Sequence, residues 1–336
     1  MGQSPNSNNY TKNPNDFILV QGNADIKNGR VVPRMWTKQI TKLANPGDII
    51  LSVRAPVGDV GITNYTVVLG RGVASISGDD FIYQTLIKMK TFGFWRKFST
   101  GSTFESINSK DIKNAVILVP IANERRNIGT IFKSVDATIA LHQQKVTQLK
   151  ELKKLLMQKI FDQEWRFRGF TDPWEQRKLG ECLNVNSGKD YKFLKRGNIP
   201  VYGTGGYMCS VDQALSYNED AIGIGRKGTI NKPYILKAPF WTVDTLFYIV
   251  PKAKLNLFFM YLIFQKVNWK RKDESTGVPS LSKSIIKSVK ELFPKGREQN
   301  EIAELFEILD TTIALHQQKV DQLKELKKYL MQNLFV

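Results

Sequence analysis

The chain has 336 residues, 42% of them hydrophobic, and its 49 Lys and Arg against 31 Asp and Glu give a formal charge of +18. That length suits two domains with connectors, and the longest apolar run, around residues 255–264, is too short to cross a bilayer. Two cysteines in no metal-type spacing, only two histidines and a polar, Asn-rich start argue against metal sites, histidine general-base chemistry and export; a reduced, cytoplasmic setting is expected.

Residues 1–28 are rich in Asn, Gly and Pro and read as loop, with a short strand at 17–20. Asn45-Pro46-Gly47-Asp48 is a turn, and 49–53 a buried strand followed by Arg54-Ala55-Pro56-Val57-Gly58. Strands are expected at 67–69 and 73–76, and a helix over 81–98 with Trp95, Arg96 and Lys97 near its end. A loop at 99–103, a short turn from Ser109 and a strand at 116–119 ending at Pro120 complete the first part.

The second half repeats this order. Gly203-Thr204-Gly205-Gly206 is a turn cluster, 221–224 a strand leading to Gly225-Arg226-Lys227-Gly228, and 247–250 another strand. The stretch 255–268 is helical and ends in Trp269-Lys270-Arg271-Lys272. Ser99-Thr100-Gly101 recurs as Ser275-Thr276-Gly277, and Ile112-Lys113 and Pro120 recur at one shared offset as Ile286-Lys287 and Pro294. The closest repetition, at that same offset, is IALHQQKVTQLKELKKLLMQKIF at 139–161 and IALHQQKVDQLKELKKYLMQNLF at 313–335, identical at 19 of 23 positions. The repeating unit is a globular domain plus a long helix, present twice. The expected segments are 1–120, 121–165, 166–292 and 293–336, with RFRGFTDP as linker.

Both long stretches carry a heptad seam. The first comprises Ile128, Phe132, Val135, Ile139, His142, Val146, Leu149, Lys153, Leu156 and Ile160; the second Ile302, Phe306, Leu309, Ile313, His316, Val320, Leu323, Lys327, Leu330 and Leu334. Ile131, Leu152, Leu305 and Leu326 widen the stripes, as if the helices also touch globular parts. A helix this apolar on one side needs a partner, and the obvious one is the other copy; two helices packed separately on their own domains are the alternative. The histidines read as polar seam residues fixing register, near the middle of an antiparallel pair.

Charge is unevenly spread. Residues 1–120 hold 14 basic and 8 acidic side chains, residues 166–292 hold 21 and 11, and the two helical segments are nearly neutral. A polyanion, most simply nucleic acid, therefore belongs on the globular parts, and protein partners on the helices. Catalytic residues and metal ligands are expected to be absent. Asn231-Lys232-Pro233-Tyr234 departs from the Asn-Pro-Pro-Tyr of adenine methyltransferases at its second position, and the 223–228 glycines have P-loop spacing without the lysine.

Several motifs resemble the specificity (S) subunit of type I restriction–modification systems: GDIILSVRAPVG at 47–58, WEQRKLGE at 174–181, IPVYGTGG at 199–206 and both LHQQK helices. The likeness covers essentially the whole chain. It implies two α/β target-recognition domains in an internal pseudo-two-fold repeat, separated by two long helices paired as an antiparallel coiled coil. It further implies a non-catalytic subunit that reads a bipartite double-stranded DNA site. Two modification subunits would add adenine-N6 methylation with S-adenosylmethionine, and restriction subunits would add ATP- and Mg2+-dependent cleavage. Compared with 174–189, the first domain lacks a counterpart of the opening and is expected to be shortened at its N-terminus.

The candidate DNA contacts are basic and polar loop residues beside strand ends. They are Arg54, Arg96 and Lys97 in the first domain, and Lys189, Lys192, Lys195, Arg196, Thr204, Tyr207, Arg226 and Lys227 in the second, with Lys270, Arg271 and Lys272 on phosphates. For any one of them a solvated surface charge is the competing reading. A stand-alone DNA-binding regulator with paired helices is the rival function, and a methyltransferase with drifted motifs a third.

Overall fold

Short β-branched runs closed by turn residues become strands, and the two heptad stretches become two long helices, Ala122–Phe161 and Gly296–Asn333. The structure is a computed structural model and describes residues 1–98, 106–252, 255–273 and 275–335. The loop expected at 99–103 lies outside the described residues. Contacts divide the chain into two units, Met1–Gln143 with Gln318–Val336, and Gln144–Gln317. Each unit therefore takes one globular part and half of each long helix.

In the first unit, one sheet runs Tyr10–Thr11, Trp36–Thr37, Phe17–Val20, Val67–Leu69, Leu43–Ala44, and the other Val73–Ile76, Ile49–Ser52, Val60–Ile62, Arg30–Val31, Ile26–Lys27. Phe17–Val20 and Val67–Leu69 are parallel; Ile49–Ser52 is antiparallel to both of its neighbours. Ile49, Ile50 and Leu51 are buried, as an unbroken apolar run flanked on both sides requires.

The second unit repeats this wiring. Leu246–Pro251, Ala221–Gly225 and Tyr234–Leu236 stand in the order of Val73–Ile76, Ile49–Ser52 and Val60–Ile62. Arg196–Gly203 lies parallel to Trp241–Thr242, as Phe17–Val20 does to Val67–Leu69. The match extends to single glycines. Gly188 donates to Leu246 O and Lys189 to Thr242 O; Gly2 donates to Val73 O and Gln3 to Leu69 O. A Cβ on Gly188 would lie 2.0 Å from Val243 O, and one on Gly2 2.1 Å from Gly70 O, so the backbone approach at both places admits only glycine.

The second unit has elements that the first does not repeat among its described residues. Glu175–Lys178 pairs antiparallel with Lys290–Phe293, and Leu183–Ser187 antiparallel with Leu246–Pro251. Between them Leu179–Cys182 forms one helical turn. In the first unit the strand expected at 116–119 does not form. Its residues make no ladder, and Val116 and Leu118 are exposed, because a strand exists only with a neighbour to bond to.

Two further expectations are corrected. The single helix at 81–98 is two pieces, Asp80–Thr91 and a 3-10 turn at Phe94–Phe98, interrupted at Gly93 in a left-handed conformation. Ile131, Leu152 and Leu326 are exposed, and the helices touch the globular parts instead through Ile128 and Phe132, Ile160 and Phe161, and Leu305. The three exposed residues lie off the heptad positions that meet the partner helix.

Within each unit the helices run in opposite directions. In the first, Phe335 packs on Phe132 and Phe81 while Lys327 Nζ bonds Asp136 at 2.6 Å, so one helix ascends from 132 as the other descends from 335. In the second, Lys153 Nζ bonds Asp310 at 2.7 Å, and further along, Arg166 forms a two-pronged bond with Glu298. Asp310 is the repeat counterpart of Asp136, and Lys327 that of Lys153, so the two ion pairs are one interaction made twice. The seam residues are buried or half-buried, both histidines among the latter. Each lysine is a seam position: its stem lies among apolar neighbours and its charge is met by the facing helix.

These pairs are mostly screened from water, so losing one leaves a charge in the seam. Asp136→Ala or Asp310→Ala is expected to lower stability by about 1–2 kcal/mol. Exchanging the pair, Asp136→Lys with Lys327→Asp, should recover most of the midpoint that either reversal alone removes. Thermal unfolding followed by circular dichroism measures it; no recovery in the exchanged pair would show that the seam does not use this contact.

Candidate nucleic-acid interface

The basic candidates lie at related places in the two units. Arg54 leaves the end of Ile49–Ser52 and bridges Ser106; Lys227 leaves the end of Ala221–Gly225 and bridges Ser280, the repeat counterpart of Ser106. Ile107 N–H donates to Val53 O, and Leu281 N–H to Arg226 O. Each central strand thus hands its first loop residues to a second loop that pins their backbone and leaves the side chains out. Arg54, Arg226 and Lys227 are exposed.

A tryptophan anchors the other basic pair. Trp95 is buried in the 3-10 turn Phe94–Phe98, and its repeat counterpart Trp269 is buried in the 3-10 turn Trp269–Lys272. Trp269 Nε1 donates to Phe264 O at 2.8 Å, whereas Trp95 Nε1 is buried with no partner among the described residues. The buried ring turns the following residues outward, so Arg96 and Lys97 in one unit and Lys270, Arg271 and Lys272 in the other are exposed. Lys97 Nζ sits 4.0 Å over the Phe94 ring, which holds it against the turn.

In the second unit Arg226 and Lys227 line a cleft of about 350 Å³ with Ser187, Ser280, Ser282 and Lys283. The Arg226 guanidinium lies over Phe247 at 6.0 Å and its Nη1 donates to Asp244 O at 3.4 Å. Neither contact neutralises it. Lys283 belongs to the same cleft; it is the first residue of a short helix capped by Ser282, and no local pattern marks its place beside Arg226.

The remaining candidates lie in the loop 188–195 and on the hairpin of Arg196–Gly203 with Gly206–Val211. Lys189 O accepts from Trp241 Nε1, and the Lys195 N–H donates to Asp212, so the backbone is tied while Lys189, Lys192, Lys195 and Arg196 stay exposed. Thr204 sits in the tight turn between Arg196–Gly203 and Gly206–Val211 and is only half-exposed. Tyr207 is exposed, its hydroxyl 3.1 Å from Ser210 Oγ and its ring edge-on to Tyr202. Phe193, Met208 and Tyr217 are exposed on the same unit. Isolated aromatic residues in polar loops give no periodic signal, so the sequence did not mark them.

The near-miss motifs are structural. Tyr234 donates its hydroxyl to Gly203 O at 2.6 Å, and burial pushes its phenol far above the usual tyrosine range. It ties two strands together. A Cβ on Gly225 would meet Thr229 O at 2.2 Å, and Gly228 has a positive φ; both shape the loop. In the first unit a cleft of about 1,060 Å³ is lined by Tyr83, Lys133, Asp136 and Lys327. Lys133 there is paired with Asp80 and Lys327 with Asp136, and burial beside Asp136 pushes the Tyr83 phenol up to about 12. Among the described residues no three His, Cys, Asp or Glu side chains gather to hold a metal, and no helix is long and apolar enough to cross a membrane.

A family described as type I restriction modification DNA specificity domain matches residues 1–151 and again 171–325, and the chain belongs to it. Among relatives from Methanocaldococcus jannaschii, the putative MjaX type I restriction enzyme specificity subunit is 32% identical over 165 residues, 47% of this chain and 38% of that one. The MjaVIII type I restriction enzyme specificity subunit is 23% identical over 359 residues, covering 94% of this chain and 80% of its own. The fold is that of the S subunit of a type I restriction–modification system from M. genitalium, with a TM-score of 0.75 at 18% identity over 100% of this chain and 92% of that one. A further type I system structure gives 0.54 at 16% identity over 95% and 91%.

Replacing Arg226 and Lys227 by Ala leaves the first unit's loops intact. Each lost base contact should cost about 1–3 kcal/mol of discrimination. Were each unit to read its own half of a DNA site, recognition should relax only in the half read by the second unit, with independent effects in the two units. Selection of bound sequences from a random DNA library by the variant and by the unchanged chain measures this. Relaxation in the other half would reassign the loop.

Proposed function

We propose that the chain is the DNA-reading, non-catalytic subunit of a type I restriction–modification complex. The observation that carries this is the duplication of one basic arrangement: a loop at the end of the central strand and a tryptophan-anchored turn, Arg54 with Arg96 and Lys97, then Arg226 and Lys227 with Lys270 and Arg271. Two such sets in one chain suit a bipartite double-stranded DNA site, one half per unit. The lysines and arginines would neutralise phosphates, and fewer side chains would read base edges.

The long helices would set the spacing between the half-sites and carry the protein partners. Their outer faces expose Leu141 and Leu155 on the first helix and, at the matching positions of the repeat, Leu315 and Tyr329 on the second. Repeated apolar positions on otherwise polar faces suit two copies of one partner, the modification subunits, which would bring S-adenosylmethionine; restriction subunits would bring ATP and Mg2+ chemistry. The setting would be the cytoplasm. A stand-alone DNA-binding regulator would have no use for those exposed pairs.

The purified chain should bind DNA weakly, with an affinity that falls steeply with salt, and methylate nothing. Filter binding across a salt series, with a methyl-transfer assay on the chain alone and with modification subunits, measures both. Methyl transfer by the chain alone would overturn the reading. The ruler role has its own test. Four residues inserted into both helices, after Val146 and Val320, add about 6 Å of rise. At about 3.4 Å per base pair, the gap between half-sites should grow by one or two base pairs while both half-sites stay the same. An unchanged gap in the methylated sites would remove the helices as the ruler.

A further inference from the structure

Most glycines of the chain have a reason inside the fold. At Gly2, Gly72, Gly188 and Gly225 a Cβ would lie 2.0–2.2 Å from a backbone carbonyl oxygen. Seven others, Gly206 and Gly228 among them, hold a φ in the left-handed region. Gly22, Gly205 and Gly277 have neither reason. Their φ angles lie outside that region, and beyond the chain neighbours no described atom comes within 4 Å of the place a Cβ would take. Glycine loses more conformational freedom on folding than any other residue, and nothing within the chain requires it at these three positions.

All three lie beside the basic loops. The strand Arg196–Gly203 takes the same place in the second unit as Phe17–Val20 in the first, and an open glycine follows each, Gly205 and Gly22. A short link then joins the turn to the basic loop. In the second unit Val243 N–H donates to Tyr202 O, and Arg226 N–H to Thr245 O. In the first, Gly70 N–H donates to Val20 O, and Val53 N–H to Gly72 O. The open glycine and the basic loop are therefore neighbours across the same link, 243–245 or 70–72, in both units. Gly277 belongs to the loop that pins Arg226 and Lys227. There Gly228 N–H donates to Pro279 O, Leu281 N–H donates to Arg226 O, and Asp273 accepts from Ser275 and Ser280 to close the loop.

Gly205 and Gly277 are exposed, and neither amide donates to another described residue. The half-exposed Gly22 donates its amide to Asp25 at 3.2 Å, so there only the missing side chain matters. Bare peptide beside exposed guanidinium and ammonium groups suits the close approach of a phosphodiester strand. Free N–H groups donate to phosphate oxygens, and no side chain holds the strand away.

We propose that the sugar–phosphate backbone of DNA lies directly against the peptide at Gly22 in the first unit, and at Gly205 and Gly277 in the second. The cations of Arg54, Arg226, Lys227 and Lys283 close on the strand beside these contacts. The glycine contacts place the strand and do not read bases. The inference rests on the DNA-reading role and adds where the duplex meets the main chain.

Alanine is the probe, since the fold has room for it at all three positions. The DNA is a duplex that the unchanged chain selects from a random library. Fluorescence anisotropy follows binding, and thermal unfolding follows the fold. Gly22→Ala, Gly205→Ala and Gly277→Ala should each weaken binding by about fivefold or more, with the selected sequence unchanged. The unfolding midpoint should stay the same or rise, because alanine restricts the unfolded chain. Gly228→Ala, strained by its positive φ, should instead lower the midpoint. Alanine variants that bind as well as the unchanged chain would overturn the inference and leave DNA reading standing. A lowered midpoint at the three open positions would return these glycines to the fold. A changed sequence preference would put bases against them instead of phosphates. If the unchanged chain selects no DNA, the reading itself fails and the inference with it.

Discussion

The lysine in the apolar seam is the constraint on which the rest depends. A heptad stripe alone fixes that two helices meet, not how far one slides along the other. Lys153 and Lys327 can be half-buried only where an aspartate of the opposite helix faces them, and the spacing of Asp136 and Asp310 allows this only with the helices antiparallel. The same pair is made in both units, so the register is enforced twice. Each globular part then closes on its own section of the helices, through Phe81, Phe132 and Phe335 in one and Phe161, Trp174 and Phe259 in the other.

Repetition also explains how two units so different in detail share a plan. Bulk identity lies in the helices, whose seam tolerates little change, whereas the sheets keep only their order, their parallel pair and glycines where backbones touch. The surface loops are free to differ. Arg54 bridges Ser106, while Arg226 and Lys227 share a cleft with Lys283. A scaffold that keeps a loop's anchor and varies its tip is suited to recognising different sequences with one architecture.

Much of this was legible in the sequence because its determinants are local. Ile49–Ser52, Val67–Leu69 and Val73–Ile76 are β-branched runs bounded by turns, and their strands form where expected. The seam was legible from its spacing. Residues 116–119 looked like a strand for the same local reason and are not one, since ladder bonds depend on a partner far away in the chain. Gly93 hid a break inside an apolar periodicity, and Ile131, Leu152 and Leu326 looked like a widening of the stripe although they face out, because composition does not record direction. The basic loops could be named individually, but their grouping rests on bridges such as Lys227 to Ser280, which no spacing rule supplies.

The contact at Gly2 bears on how the protein is handled. Its amide is part of the sheet, and the Gly70 carbonyl leaves no room for a side chain. A tag fused ahead of Met1 would not hang free in solvent. It would emerge alongside Val73–Ile76, with its first residues held at ladder distance from that strand. A glycine-serine spacer and a β-prone one placed there would meet that strand differently.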